Sequence, residues 1–484
     1  MIFEILAEKS SEDKKTFYYD NENNILKSDN GIIFEFPNNQ NVLNEILIDE
    51  YKSFDKNSPL KKSKNIRLLK IQLGLSCNYS CEYCSQRFVE RAPETNKKDI
   101  DSFMEKLNVL EFEESQGLKI EFWGGEPLVY WKTLKPLVAE ITKKFESWQN
   151  KPAYSIITNG SLLTQEVIDW LIENNFSVSI SHDGPGQSVR GPDPFENLEL
   201  KERVLKFYKF SKENKRGFSF NPMLHLKNKS RKEIYDWFVN FTDDPGVILG
   251  EGGIVDAYDE DGSNNSLQTL KQHFEFRQRN FIDMYSTDGY LGFMNQLDKV
   301  NGFIQDLLSH KKSKFLGQKC GMDDEHVIAV DLRGNVITCQ NVSAVETGMN
   351  GESHLGGNLD NYENVAIKTG THWSNRPDCA SCPVLHVCKG SCLFLQGDFW
   401  DVSCNNAYSD NVVHFALAFA KITNGYIPIF IKNEHLPDER RDIFGTILEH
   451  KEKTKQKTIP IKIVSQIVGK VNDVPVYGKS KIEA

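Results

Sequence analysis

Between residues 66 and 226 the apolar positions come in short bursts of branched and aromatic side chains, separated by longer stretches with helical spacing. The bursts IRLLKIQLGL, LKIEFW, YSIITN, FSVSIS and FSFNPMLHL predict strands. The stretches around 99–115, 131–148, 164–174, 198–214 and 230–241 predict helices, the last opened by a capping box of Ser230 with Glu233. A further strand, GVILGEGGIVDAY, and a long helix near 266–285 extend the alternation. Repeated βα units imply a parallel sheet curled into a full or partial barrel, with active-site residues at the C-terminal strand ends.

The flanks have a different pattern. In the first 65 residues, IFEIL, TFYY and GIIFEF predict strands, divided by the turn segment DNENN. An amphipathic stretch, NVLNEILIDEY, and a Lys/Ser/Asn/Pro-rich linker over 53–65 follow. From 320 to about 405 regular periodicity gives way to Gly, Asn and Asp, as in a small segment that leans on metal rather than on a core. Past 410, NVVHFALAFAKI predicts an apolar helix ahead of a mixed, Lys-rich tail. The expected units are a β-rich region over 1–65, a barrel over 66–310, a cysteine-dense unit over 311–410, and a helix and tail over 411–484.

Composition narrows the classes of function. The chain has 484 residues, with 58 basic and 68 acidic side chains and a net charge of −10. That balance argues against a nucleic-acid partner, since the Lys patches at 61–64 and 451–457 are too short for a basic footprint. No apolar run reaches the roughly 20 residues that span a bilayer, and the start MIFEILAEKSSEDKK has no secretory pattern. A cytoplasmic protein is expected. Ten cysteines in a reducing compartment then need a reason. Three lie at 77, 81 and 84, seven lie between 320 and 404, and none falls between 85 and 319. Two such groups read as two metal-binding regions.

Cys77, Cys81 and Cys84 form C-x3-C-x2-C directly after the strand ending QLGLS. Three thiolates on one tight loop can hold three irons of a four-iron cluster and leave the fourth open. Zinc is the competing occupant, but a structural zinc wants four ligands and no fourth Cys or His lies nearby in sequence. The run Cys77-Asn-Tyr-Ser-Cys81-Glu-Tyr83-Cys84 resembles the signature loop of the radical S-adenosylmethionine (SAM) superfamily. Further pieces follow in that family's order, each ending a predicted strand: Gly124-Gly125-Glu126-Pro127, Thr158-Asn159-Gly160, and Ser181-His182-Asp183-Gly184 with Arg190 shortly after.

The resemblance implies an α/β fold, a partial (β/α)6-type barrel followed by a loop-rich auxiliary-cluster domain. It implies that Cys77, Cys81 and Cys84 hold the cluster that binds SAM. Tyr83, Gly124, Gly125, Glu126, Pro127, Asn159, Ser181, Asp183 and Arg190 would be SAM contacts, with Glu126 an acceptor for its ammonium and Arg190 a partner for its carboxylate. His182 is expected to lie at the surface or behind the site rather than act as a base. Reductive cleavage of SAM would release a 5′-deoxyadenosyl radical that takes hydrogen from an unactivated C–H bond.

The seven later cysteines are Cys320, Cys339, Cys379, Cys382, Cys388, Cys392 and Cys404, with Gly334 giving G-x4-C at Cys339 and C-x2-C-x5-C-x3-C from 379 to 392. This pattern resembles a SPASM domain, the auxiliary-cluster module of peptide- and protein-modifying radical SAM enzymes; a zinc ribbon is the alternative for its C-x2-C pair. The family's ligand pattern would give Cys379, Cys382, Cys388 and Cys404 to one cluster and Cys320, Cys339 and Cys392 to another. The second set is one ligand short, and its last iron can be open, bound by substrate, or held by Asp323, Asp324 or His326. The implied cofactors are SAM and three 4Fe–4S clusters. The implied partners are a ribosomally made precursor peptide and a reductant such as flavodoxin or ferredoxin. A sulfatase-maturing formylglycine-generating enzyme is the rival within that family, and a non-catalytic iron–sulfur scaffold the rival outside it. The β-rich start could capture a leader peptide by strand addition.

Overall fold

The computed structural model describes residues 1–36, 50, 53–250, 252–287, 290–349 and 351–446. The stretch expected to be amphipathic, NVLNEILIDEY, and the Lys-rich tail fall almost wholly outside them. The strands in chain order are β1 (Ile2–Glu8), β2 (Lys14–Asp20), β3 (Ile25–Ser28), β4 (Leu60–Lys61), β5 (Leu68–Gln72), β6 (Lys119–Trp123) and β7 (Ala153–Thr158). They continue as β8 (Ser177–Ile180), β9 (Phe218–Phe220), β10 (Val327–Asp331), β11 (Asn335–Ile337), β12 (Leu355–Asn358), β13 (Ala366–Ile367) and β14 (Ile427–Lys432).

The main sheet has the order β12-β11-β10-β5-β6-β7-β8-β9, in which β10 and β5 through β9 run parallel. Helices Trp131–Lys144, Gln165–Glu173 and Leu198–Glu213 are the crossovers between β6 and β9. The pleat sorts each strand: Ile120, Phe122, Ile156, Val178, Ile180 and Phe220 are buried in the core. Glu121, Trp123, Ser155, Ile157, Ser179 and Ser219 alternate with them and line an open cavity. β5 is buried at four of its five positions, as befits the middle of the sheet. The fold is therefore the expected α/β partial barrel, an open sheet rather than a closed ring.

Several elements differ from the sequence reading. GVILGEGGIVDAY forms no strand; Leu249 and Ile254 make only single bridges, to Phe220 and Phe293 and to Leu224. Its glycines provide no side chains to hold a ladder, and Gly252 sits at φ +58°. GIIFEF likewise contributes one bridge, Ile33 to Lys27, because the third strand forms earlier, from Ile25 to Ser28, and the chain then turns. The helix expected over 99–115 stops at Lys106 and continues as 3-10 turns. Ser230 does cap its helix through the Glu233 amide, but the Glu233 carboxylate pairs with Arg279 at 2.7 Å instead of closing the box. Within the cysteine-dense region, β10 to β12 extend the barrel sheet.

The ends of the chain share one layer. β14 pairs antiparallel with β1, making the sheet β14-β1-β2-β3. Helix Gly397–Ile422, longer than the expected 411–422 and carrying Cys404 in its second turn, lies against this sheet. Its residues from Tyr408 to Ala420 are buried all round, which marks an interior helix. Phe17 meets Phe419 with ring centroids 5.1 Å apart, and Tyr19 meets Phe415 at 5.6 Å. Residues assigned from sequence to 1–65, 311–410 and 411–484 thus lie in one core. Among the described residues no helix is long and apolar enough to cross a membrane.

That helix also carries His414, fully buried, its Nδ1 2.7 Å from the Asp410 carbonyl. Burial pushes its imidazole down to about 3. The unfolded chain, with an ordinary histidine near 6.5, therefore binds a proton that the folded chain refuses between those two values. Stability is full above pH 7 and falls as pH drops through 6.5 toward 3, by about 2 kcal/mol at pH 5 from this residue alone. Urea unfolding at pH 7 and pH 5 checks this: the His414→Gln protein should show a smaller pH difference than the parent.

Candidate active site

The loop carrying Cys77, Cys81 and Cys84 leaves the end of β5, and its root is fixed by backbone. The Leu73 amide donates to the Trp123 carbonyl at 2.8 Å, the Gly125 amide to Gly74 at 3.2 Å, and the Glu126 amide to Ser76 at 3.0 Å. A first side-chain carbon on Gly125 would lie 2.5 Å from the Leu75 carbonyl oxygen and 2.6 Å from that of Ser76. Only glycine allows the β6 exit to approach this closely. Tyr130 braces the other side: its hydroxyl accepts the Ser76 amide at 2.7 Å and donates to Glu94 at 2.8 Å. Within the loop, amides donate to sulfur, Tyr79 to Cys77 at 3.3 Å and Gln86 to Cys84 at 3.4 Å. Cys77 is exposed, and Cys81 and Cys84 are half-buried.

Glu126 looks inward. Its carboxylate accepts from the Leu128 amide at 3.0 Å, the Thr158 hydroxyl at 2.8 Å and the Asn159 amide at 2.7 Å. This buried group, the expected acceptor for a ligand ammonium, caps a 3-10 turn and ties the end of β6 to that of β7. Pro127 opens that turn, where its missing N–H costs nothing. Asn159 donates to Asn78 at 2.8 Å, fastening the turn after β7 to the cysteine loop. The Ser181 amide donates to the Thr158 carbonyl at 2.7 Å and so holds the next strand end level.

A second cluster forms around Asp183, which is wholly buried. It accepts from the Tyr83 hydroxyl at 2.5 Å, from Arg190 at 3.0 Å and from the Met223 amide at 2.9 Å, and His225 lies 3.6 Å away. Burial alone would raise this carboxyl, but Arg190, His225 and Tyr83 outweigh it and hold it well below the usual carboxylate range. Arg190, expected to meet a ligand carboxylate, is thus bound to Asp183, yet its Nε has no partner. His225 likewise has two buried ring nitrogens without hydrogen bonds. His182 is locked between Phe195 and Trp237, its Nε2 3.0 Å from Asp193. Asn78 and His225 were missed from sequence; Asn78 was legible as part of the cysteine loop, whereas His225 fell within the expected strand FSFNPMLHL, of which only Phe218–Phe220 forms.

The later cysteines gather in two places. Cys379, Cys382, Cys388 and Cys404 line one small cavity with Arg440 and Tyr408. Cys339 has Cys320 and Cys392 as electrostatic neighbours, and burial pushes its thiol up to about 12. Of the three candidates for a fourth ligand there, Asp323 neighbours Cys320. Asp324 pairs instead with Arg67 at 3.4 Å, and His326 Nδ1 contacts the Asn65 carbonyl at 2.7 Å. Asp256 and Tyr258, not foreseen, face Cys392. Among the described residues no three His, Cys, Asp or Glu converge closely enough to hold a single ion.

The barrel cavity is lined by β6 to β9. Lys70 of β5 reaches Gln340 at 3.4 Å, one residue past Cys339, and stands 3.9 Å from Glu121. Glu121 also takes Lys119 at 2.6 Å and the Trp123 ring N–H at 3.0 Å. Burial would raise its carboxyl, but Lys119 and Lys70 pull it down, so it is ionised at neutral pH.

The fold is an α/β partial barrel with a three-cysteine loop and polar groups gathered at its strand ends. The Radical SAM superfamily profile matches residues 71–238. The chain is 32% identical over 347 residues to the serine-type anaerobic sulfatase-maturating enzyme of Bacteroides thetaiotaomicron, covering 66% of this chain and 80% of the relative. It is 24% identical to the radical SAM cyclopropyl synthase TigE of Paramaledivibacter caminithermalis, over 72% of each chain. The solved structure of native anSMEcpe with bound AdoMet and Cp18Cys peptide shares the fold, with a TM-score of 0.52 at 20% identity over 74% of this chain and 98% of that one. The protein belongs to the radical SAM superfamily and is an enzyme.

The residues fit the cofactors of that superfamily: three thiols share one loop, and two buried polar atoms without hydrogen-bond partners, Arg190 Nε and His225 Nδ1, lie on side chains packed against Tyr83 of that loop. Substituting Gly125→Ala should push the root of the cysteine loop away from β6. Iron retained after anaerobic reconstitution is then expected to fall by roughly four atoms per chain, with far-UV circular dichroism unchanged.

Proposed function

We propose that this enzyme is a radical SAM peptide maturase that installs an oxidative cross-link, thioether or carbon–carbon, in a ribosomally made precursor. Cys77, Cys81 and Cys84 would hold a 4Fe–4S cluster and the SAM that chelates it, with Gly124–Pro127, Asn159, Ser181 and the Tyr83–Asp183–Arg190 group around the ligand. When bound, these cofactors supply a radical able to take hydrogen from an unactivated C–H bond. Cys379, Cys382, Cys388 and Cys404 would hold one auxiliary cluster of a SPASM domain, and Cys320, Cys339 and Cys392 another. The observation that carries the reading is the gathering of seven distant cysteines into a set of four and a set of three, the latter joined to the barrel cavity through Lys70. Such sites suit a reaction in which the substrate must give up an electron.

The chain's own residues prepare the cavity for a peptide. Glu121, ionised and held by Lys70 and Lys119, offers a carboxylate to an amide or ammonium. Ser155, Ser177, Ser179 and Ser219 offer hydroxyls, and Trp123 and Ile157 an apolar wall. The sheet β14-β1-β2-β3 offers little edge for a leader peptide, because Ile33 bridges β3 and Asp442 bridges β14. The exposed position of Cys77 suits electron delivery by a small reductant protein such as flavodoxin or ferredoxin. A second reading, oxidation of a Cys or Ser in a sulfatase to formylglycine, is supported by the sulfatase-maturating relatives.

Replacing Cys77, Cys81 and Cys84 together by Ala should abolish release of 5′-deoxyadenosine from SAM under dithionite. Replacing Cys379 and Cys382 should leave part of that cleavage while removing product. Anaerobic co-expression with short peptides encoded beside this gene, read by tandem mass spectrometry, separates the two readings. The expected result is a peptide lighter by two hydrogens with fragmentation missing between two residues. Unmodified peptides from cells whose purified enzyme still cleaves SAM would favour the sulfatase reading.

A further inference from the structure

The segment after β14 lies beyond the cysteine motifs, yet it delivers a cation to the four-cysteine cavity. Arg440 donates from Nη2 to Cys404 Sγ at 3.4 Å and to Asn405 Oδ1 at 2.7 Å. Its backbone is pinned in place: the Tyr408 hydroxyl donates to the Arg440 carbonyl at 2.5 Å, and Arg277 donates to the Glu439 carbonyl at 2.9 Å. The guanidinium lies 5.3 Å from the Tyr408 ring centroid and lines the cavity with the four cysteines. Its Nε–H is buried and has no hydrogen-bond partner. A second guanidinium, that of Arg376, sits over Trp400 at 3.5 Å, but its N–H groups go to the carbonyls of Thr371, Leu393 and Leu395. Arg440 instead spends one donor on sulfur and keeps another unspent beside it.

We propose that Arg440 is a positioning residue for the four-cysteine site, donating to Cys404 Sγ, holding Nε–H for a further sulfur acceptor in that cavity, and raising the reduction potential of a cluster bound there. Potentials of iron–sulfur clusters depend on net charge, on hydrogen bonds to the sulfurs and on exposure. A buried guanidinium on a ligand thiolate acts through the first two, because it stabilises the more negative, reduced state. The inference rests on the reading that this cavity holds an iron–sulfur cluster.

The test uses the full chain with Cys77, Cys81 and Cys84 replaced by Ala, so that the later cysteines alone hold iron. Redox titration followed by electron paramagnetic resonance should show Arg440→Leu shifting one midpoint potential to a more negative value and leaving any other in place. Arg440→Lys, which restores charge without the fork, should fall between Leu and the parent. Unchanged potentials in Arg440→Leu overturn the proposal. Should that variant fail to fold, Asn405→Ala loosens the same guanidinium and is expected to give a smaller shift of the same sign; no shift again overturns it. The underlying reading fails separately, if replacing Cys379 and Cys382 leaves the iron content of this chain unchanged.

Discussion

The arrangement at the strand ends depends on the approach of Gly125 to the carbonyls of Leu75 and Ser76, closer than any side chain permits. This contact sets the cysteine loop at a fixed height above the sheet. Glu126, the next residue, then reaches sideways to Thr158 and Asn159, and Asn159 returns to the cysteine loop through Asn78. Three strand ends and one loop are joined in a closed circuit of hydrogen bonds. A buried carboxylate with three partners is costly to disturb, since each donor left behind would be unsatisfied. The circuit therefore holds the loop rigid before any cofactor arrives.

Asp183 does similar work on the far side. Its charge is stabilised by Arg190 and by the Tyr83 hydroxyl, and Tyr83 lies between two of the loop cysteines in sequence. The ion pair is buried, so its desolvation is offset by good geometry and extra hydrogen bonds rather than by Coulomb attraction alone. The remaining orphan N–H of Arg190 and the unpartnered Nδ1 of His225 mark where that compensation is incomplete. Such unsatisfied groups are found where a ligand completes the site.

The second metal region is built from pieces far apart in the chain. Cys404 comes from a helix that also packs against β2 and β14, and Arg440 arrives from the segment following β14. The amino-terminal strands therefore support the cavity indirectly, through the helix that carries one of its cysteines. Asn21, in the turn after β2, donates to the carbonyls of Ala380 and Cys382, both at 3.0 Å, and adds a direct tie.

The amino-acid sequence by itself determined the barrel class, the position of its main strands and the grouping of cysteines, because periodicity and spacing are local properties. The GGEP and TNG turns were legible for the same reason, each being a short run at a strand end. Local pattern could not say that GVILGEGGIVDAY would fail as a strand, since apolar content was right and only the glycine-weakened ladder was missing. Nor could it show that the Glu126 carboxylate turns inward, that Arg190 is taken by Asp183, or that β14 pairs with β1 across more than 400 residues of chain. Those outcomes belong to the tertiary structure, because the direction of a long polar side chain and the partner of an edge strand are settled by whichever donors and edges folding brings within reach.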